Sequence, residues 1–389
     1  MKIKVGVIFG GATVEHEISI ISAVQAMKHM DNVKYEIIPI YITKDLQWYT
    51  SKMLLDMSSY KDIDLIKRYA KKVSLIKSNN GYFLRSAEGL FQKNIAEIDI
   101  AFPIVHGNNM EDGTIQGYLN LLGIPYVGSR VLGSALGQDK VVMKQIMSDA
   151  KLPIVEYTWF YDSEYLQNKE LIFTNVRKLG YPVIVKPATL GSSIGISVSK
   201  DEVELTQSIN EAIKYDDKIV VEKVVGNLVE INCSVLGNHE YMETSLLEEV
   251  MGEEEFLTYQ DKYLGKGKSK GMASTSRILP ARLSKETEEE VYRLSKQVFK
   301  LLNLSGLCRI DYLIDKATNK IYINEPNTIP GSLAFYLWEP KGKKYKQLLD
   351  DMITLSIKDY KNKMHKISSF DTNILSNYNG LKGIKGKLK

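Results

Sequence analysis

Cysteine is scarce in this chain, and both copies, Cys233 in VEINCSVLG and Cys308 in GLCRIDYL, sit in apolar, strand-like runs. Two isolated thiols exclude a disulfide framework and a cysteine metal cluster, and in such runs cysteine serves as a small hydrophobe. Net charge is nearly absent too: 51 basic against 47 acidic residues leave +4, too balanced a surface to argue for nucleic acid or a membrane. No apolar run reaches the roughly 18 residues needed to cross a bilayer. The N-terminal MKIKVGVIFGGATVEHE meets glycines and acids before a signal-peptide core could form, so a cytoplasmic protein is expected. Repeats and low-complexity tracts are missing until the Gly/Lys-rich end, KNKMHKISSF…GLKGIKGKLK. That end reads as a loosely docked tail, with partner binding as the minority alternative. The usual nucleotide fingerprints are missing as well, since neither G-x-x-x-x-G-K-[ST] nor G-x-G-x-x-G occurs.

What is present is 389 residues with ample apolar content, enough for two or three domains. IKVGVIF reads as a buried strand, GGAT as a turn, and EHEISIISAVQAMKHM as a helix with apolar residues at helical spacing. YEIIPIYIT and IAEIDIAFPIVHG add further strands, and the alternation predicts a doubly wound parallel α/β domain over 1–130. From about residue 140 the runs PVIVKPA, GISVSK, KIVVEKVV and EINCSVLG are short and β-rich with helices between, an α+β pattern. The stretch TYQDKYLGKGKSKGMASTS is long and poor in apolar residues, which marks a lid or a linker. After it, KETEEEVYRLSKQVFKLL carries acids in its first turn and a predicted buried stripe at Val291, Leu294, Val298 and Leu301.

The segment YINEPNTIPG places Glu325 and Asn327 two residues apart on a strand, hence on one face. Two hard oxygen donors there suit Mg²⁺, although a polar strand end capping a turn fits those two residues alone equally well. GLCRIDYLID and the turn DKATNK precede them, so the two strands form a predicted hairpin that sets Asp311 across from both. Three oxygen donors facing one another without a cation would repel or stay unpaired, which favours the metal reading. Arg309 points to the same face, as a structural ion-pair partner or as a stabiliser of developing negative charge. Lys186 ends the strand PVIVKP before the Gly/Ser loop ATLGSSIG, whose amides could close over phosphates, and KIVVEKVV adds Glu222 and Lys223.

With those residues in place, the chain resembles an ATP-grasp enzyme, and within that superfamily the D-alanine–D-alanine ligases, from residue 3 to about 357. HGNNMEDGTIQGYLNLLGIPYVGS and RIDYLIDKATNKIYINEPNTIPG resemble the two family signatures. The resemblance implies the α/β domain 1–130, central and C-terminal ATP-grasp subdomains over 131–222 and 223–360, a lid at 257–275, and a basic tail at 361–389. It implies ATP and two Mg²⁺ ions, with Mn²⁺ as a substitute, bound through Asp311, Glu325 and Asn327. Lys140 and Lys186 match the phosphate-binding lysines, and Glu222, Lys223, Val225 and Glu230 match the adenine and ribose hinge. Lys262 and Tyr263 match the lid pair. Glu15 matches the acid for the first substrate's ammonium and Ser192 the serine tying it to the lid tyrosine. Arg309 and the Gly331 backbone match the groups at the reacting carboxyl, and His106 a histidine near the first substrate. The implied partners are small amino acids and no nucleic acid or membrane, with a homodimer among the expected assemblies.

The match departs from the family at Met110, where a glycine is usual, and at Pro326 between the two ligands. Proline there requires a free edge or a bulge. After Gly331, GSLAFYLWEP replaces a stretch usually rich in small and hydroxyl-bearing residues, with Leu333 and Tyr336 in place of threonine and serine. The implied function is ATP-dependent joining of two D-alanines through an acyl phosphate for peptidoglycan precursors. The altered stretch leaves open another acceptor, such as D-serine or a hydroxy acid, and predicts weak binding of D-alanine as second substrate. A non-catalytic ATP-binding protein is the remaining alternative.

Overall fold

The computed structural model describes residues 2–78, 81–89, 92–251, 277–367 and 369. The lid expected at 257–275, with Lys262 and Tyr263, lies outside the described residues, as does most of the expected tail.

The first sheet contains β1 (Ile3–Gly10), β2 (Tyr35–Ile42), β3 (Trp48–Thr50), β4 (Lys71–Ser78), β5 (Gly81–Ser86), β6 (Asn94–Ile98) and β7 (Ile100–Pro103), in the order β6-β5-β4-β3-β2-β1-β7. Strand β1 runs parallel to both β2 and β7. Val5, Val7, Ile8 and Phe9 are fully buried, which is why IKVGVIF has no polar alternation. The parallel sheet predicted from sequence holds for these three strands only, because β3 to β6 extend it antiparallel. The run read as one strand, IAEIDIAFP, is two: it breaks at Asp99, whose carboxylate accepts the Lys4 backbone N–H at 2.7 Å. The helix His16–His29 packs on this sheet through Ile20, Val24 and Met27 and leaves Glu15 at its N-terminus.

The second sheet is antiparallel: β8 (Tyr157–Tyr161), β9 (Val183–Pro187), β10 (Ser197–Ser199) and β11 (Lys218–Lys223), ordered β10-β9-β11-β8. The third is also antiparallel, with β12 (Leu228–Gly237), β13 (Met242–Val250), β14 (Arg277–Ile278), β15 (Gly306–Asp315) and β16 (Lys320–Asn327), ordered β14-β13-β12-β15-β16. One face of the third sheet is apolar and packs on the helix Lys285–Leu301 through Val291, Leu294 and Val298. Ser284 caps that helix by accepting from the Thr287 N–H, and Glu286 and Glu288 face its positive end. Leu301 is exposed, however, and Phe299 and Leu302 complete the stripe, as a 3.6-residue period demands three turns on from Val291. The helix Tyr345–Met364 runs beyond residue 360, where the sequence placed the start of the tail.

Candidate active site

The hairpin β15–β16 places Asp311 opposite Glu325 and Arg309 opposite Asn327. A bulge makes this possible. Tyr312 and Ile323 face the core, and the register shifts between Asp311 and Tyr312, so that Asn324 is the extra residue. Without that shift Glu325, two residues after Ile323, would share its buried face; with it, Glu325 and Asn327 turn to the open side. Pro326 causes no loss because β16 is the outermost strand.

The oxygen donors are not left unpaired, contrary to the sequence argument. Arg309 Nε and Nη2 donate to the two Asp311 oxygens at 2.7 Å each, and the Asn327 amide donates to Asp311 Oδ2 at 3.0 Å. Lys140 Nζ lies 3.0 Å from Glu325 Oε2. Two cations thus provide the compensation expected of a metal. The residue set still fits a hard divalent ion, since two carboxylates and an amide side chain, which has an oxygen to offer as well as the donor it gives Asp311, lie on adjacent strands.

Lys140 opens the helix Lys140–Asp149, and its Nζ also donates to the Leu190 carbonyl at 2.7 Å, tying the Gly/Ser loop after β9 to β16. One turn later lies Lys144, which the sequence reading missed. It is fully buried, 3.2 Å from Glu222 Oε1 but without a well-aligned hydrogen bond, and 5.7 Å from the Tyr157 ring centroid. Lys186 donates to the other Glu222 oxygen at 3.0 Å. Burial alone would raise the Glu222 carboxyl; Lys144 and Lys186 override it and hold the group at about 2. The signal available in sequence was a pair of lysines at i and i+4, hence on one face of the helix and separated by Val141, Val142 and Met143.

Glu15 is buried and accepts a short hydrogen bond from Ser192. Gly107 and Gly191 close around it: a Cβ on either would come within 2.9 or 3.0 Å of Glu15 Oε2. Met110 fills space above Gly11, where a Cβ would fall 2.5 Å from its sulfur, and the turn it belongs to still closes with Glu111 N–H donating to Gly107 at 2.8 Å. His106 Nε2 meets Ser22 Oγ at 3.1 Å. Glu111, also missed from sequence, accepts from Thr328 Oγ1 at 2.9 Å, Ile329 N at 2.7 Å and Gly107 N at 3.2 Å, fastening the segment after Asn327.

Burial and the neighbouring Glu15 push the Glu111 carboxyl up to about 7, while burial holds His106 down at about 4. The two titrations oppose each other. A raised acid favours the native state at low pH, so the Glu111 contribution is lost as pH rises from about 4.5 to about 7. A depressed histidine loses stability as pH falls from about 6.5 to about 4. Each is worth about 3 kcal/mol by the 1.36 kcal/mol per pKa unit conversion. Urea midpoints of the wild type should therefore change little between pH 5 and 7, whereas His106→Asn should become more stable toward pH 5 and Glu111→Gln less stable. Parallel curves for all three proteins would contradict both assignments.

Most of the charged groups named above line one cleft with two chambers, which share Lys140, Gly191, Glu230, Asp311 and Glu325, while Lys144 is buried behind it. The first chamber holds Glu15, His106, Ser192, Arg309, Gly331 and Tyr336. The second, about 530 Å³, is walled by Ile184, Leu228 and Leu313 and edged by Lys186, Glu222, Lys223 and Val225. A mostly apolar slot with a few polar groups is suited to a flat heterocycle, and its charged mouth at the seam to phosphates. Leu333 does not line the cleft. Ser332, Leu333 and Ala334 have φ of 52°, 52° and 44°, and this left-handed stretch turns Leu333 into the core. No helix among the described residues is long and apolar enough to cross a membrane.

Family profiles described as D-ala D-ala ligase N-terminus and D-ala D-ala ligase C-terminus match residues 4–129 and 146–354. A D-alanine–D-alanine ligase of Thermosipho melanesiensis is 40% identical over 375 residues, covering 96% of this chain and 98% of that protein. One of Caldicellulosiruptor bescii is 40% identical, with 93% and 97% covered. Among solved structures, the D-alanine-D-alanine ligase from Coxiella burnetii superimposes with a TM-score of 0.77 at 28% identity, over 93% of this chain and 97% of the other. The VanG D-Ala:D-Ser ligase from Enterococcus faecalis gives 0.77 at 29% identity, over 92% and 100%.

Proposed function

The chain belongs to the D-alanine–D-alanine ligase family, and from that premise we propose that it joins D-alanine, as the acyl donor, to a second D-amino acid at the expense of ATP. The observation that carries this reading is the seam between the chambers, where Asp311, Glu325 and Asn327 meet Lys140 and Arg309. When bound, ATP supplies a phosphoryl group to activate the donor carboxylate, and Mg²⁺ held by Asp311, Glu325 and Asn327 neutralises the charge of its phosphates.

The chain's own groups do the rest. Glu15, fixed by Ser192, receives the donor's ammonium and so sets the position of its carboxylate. Lys140 and Lys186 approach the phosphates from the helix Lys140–Asp149 and from β9. Arg309, held flat by both Asp311 oxygens, presents its guanidinium to the reacting carboxyl, and with the Gly331 N–H it stabilises the oxyanion formed as the acceptor amine adds. Burial in the cleft protects the activated acyl group from water. Glu222 and Lys223, with Val225 and Glu230, contact the nucleoside.

Phosphate release from Mg-ATP should require a D-amino acid and give a dipeptide identified by mass. No release with D-alanine alone or paired with D-serine, D-lactate or larger D-amino acids would overturn the reading in favour of ATP binding without ligation. A D-serine acceptor is the second reading, favoured by Tyr336 and the charged groups around it in place of small hydroxyls.

A further inference from the structure

Four strands of the third sheet carry a polar residue at one register level. Glu248 on β13 is opposite Asn232 on β12, Asn232 is opposite Asp311 on β15, and Asp311 is opposite Glu325 on β16. Asp311 and Glu325 belong to the phosphate end of this row, but Glu248, at the other end, has no part in the chemistry derived so far. It is 3% exposed, accepts from the Asn232 amide at 2.9 Å, and has the Tyr336 hydroxyl at 3.5 Å. A carboxylate so buried requires a cation. Arg277 provides it from β14, with Nη1 3.3 Å from Glu248 Oε1. The Arg277 guanidinium also lies over the Tyr336 ring, 4.1 Å from its centroid. The guanidinium is therefore held at one edge by a carboxylate and on one face by an aromatic ring.

All four residues line the chamber that contains Glu15, Arg309 and Gly331. Among the described residues, the cations lining that chamber are Lys140, Arg277 and Arg309. Lys140 is committed to Glu325 and Leu190, and Arg309 to both Asp311 oxygens. The segment after Gly331 offers little in their place: Leu333 is in the core and the Tyr336 hydroxyl faces Glu248. A guanidinium has five N–H donors in a planar fork, so it can keep Glu248 and take a carboxylate at the same time.

We propose that Arg277, positioned by Glu248 and Tyr336, binds the α-carboxylate of the acceptor, so that this end of the cleft selects a free acid as second substrate. The proposal rests on the ligase reading above and removes the ground for expecting weak D-alanine binding at the second site. The probe is D-alaninamide, which has the acceptor amine but no carboxylate and cannot serve as donor. At saturating ATP and D-alanine donor, the wild type should use D-alaninamide on the order of 10- to 100-fold less well than D-alanine in acceptor kcat/KM, the usual range for a lost charge-assisted contact. Arg277→Ala should lower the D-alanine acceptor value by a similar factor and leave the amide value and the donor KM unchanged. Arg277→Lys should recover part of the loss. Because Arg277→Ala leaves Glu248 buried without its partner, the double variant Arg277→Ala/Glu248→Gln repeats the test with both charges removed. Equal losses for D-alanine and D-alaninamide, or an unchanged acceptor KM for D-alanine, would overturn the proposal. If the wild type turns over no amino acid at all, it is the ligase reading that fails. If D-serine is the better acceptor, D-serine and D-serinamide replace the pair, with the same outcomes.

Discussion

Glu325→Gln is expected to lower the turnover of ATP-dependent ligation on the order of 1,000-fold while the protein remains folded, since removing one preorganised charge from a reacting phosphoryl group has effects of that size. Glu325 lines both chambers at their seam and belongs to no apolar cluster, so its side chain supports little packing. Glutamine keeps the volume, and Lys140, 3.0 Å away, retains the Leu190 carbonyl as an acceptor. Alanine at the same position should cost turnover equally and some stability besides, because it leaves a buried ammonium short of one partner. Asn327→Ala should behave like Glu325→Gln: its amide contacts Asp311 at 3.0 Å, and the fork from Arg309 still holds that carboxylate when the amide is removed. The measurements are initial rates at saturating ATP, a Mg²⁺ titration at fixed ATP, and thermal midpoints. Both variants should need more Mg²⁺, and the glutamine substitution, which keeps a side-chain oxygen near Lys140, should lower the midpoint less than alanine does. Near-normal turnover by Glu325→Gln with Mg²⁺ as the sole metal would remove Glu325 from the ligand set.

The hairpin was legible in sequence because its signals are local: alternating apolar positions, a DKATNK turn, and oxygen-bearing residues at i and i+2. Even there the reading reached the right face by an incomplete route, since Ile323 and Glu325 also stand at i and i+2 and yet face opposite sides. Only the bulge at Asn324 separates them, and it has no signature in one sequence beyond the proline that follows. The row Glu248–Asn232–Asp311–Glu325 was invisible for a different reason. Its members come from four strands brought together by register, and EEV at the end of β13 reads as an ordinary solvated strand until its pairing is known. The same holds for the first sheet, where strands as short as the three residues Trp48–Thr50 carry too little periodicity to reveal an antiparallel extension. Leu301 was misplaced because a stripe extrapolated from its first three members accumulates phase error over a helix of 17 residues. The donor end was read through motif resemblance, whereas Glu111 and Lys144 required knowledge of what surrounds them: a glutamate amid backbone donors and a lysine against a buried acid.

Lys144→Met should destabilise the protein by about 3–5 kcal/mol, the usual cost of breaking a buried ion pair from one side. Lys144 is fully buried and Glu222 is 1% exposed, so neither charge can turn to water when its partner is removed. Methionine fills nearly the same volume and removes only the charge, which keeps cavity formation out of the comparison. Glu222 would then depend on Lys186 alone. In the wild type each Glu222 oxygen faces its own lysine, at 3.2 and 3.0 Å, an arrangement that leaves Lys186 shared between Glu222 and the open chamber. With Lys144 gone, Lys186 is drawn more firmly onto the acid and becomes a poorer phosphate ligand, so the KM for ATP should rise on the order of 10-fold with the acceptor KM unchanged. A double-mutant cycle separates charge from packing: if the pair is coupled, Lys144→Met/Glu222→Gln should lose at least about 1 kcal/mol less than the sum of the single losses. Additive losses, together with an unchanged KM for ATP in Lys144→Met, would mean that Lys144 is merely tolerated in the core and that Glu222 is held by Lys186 alone.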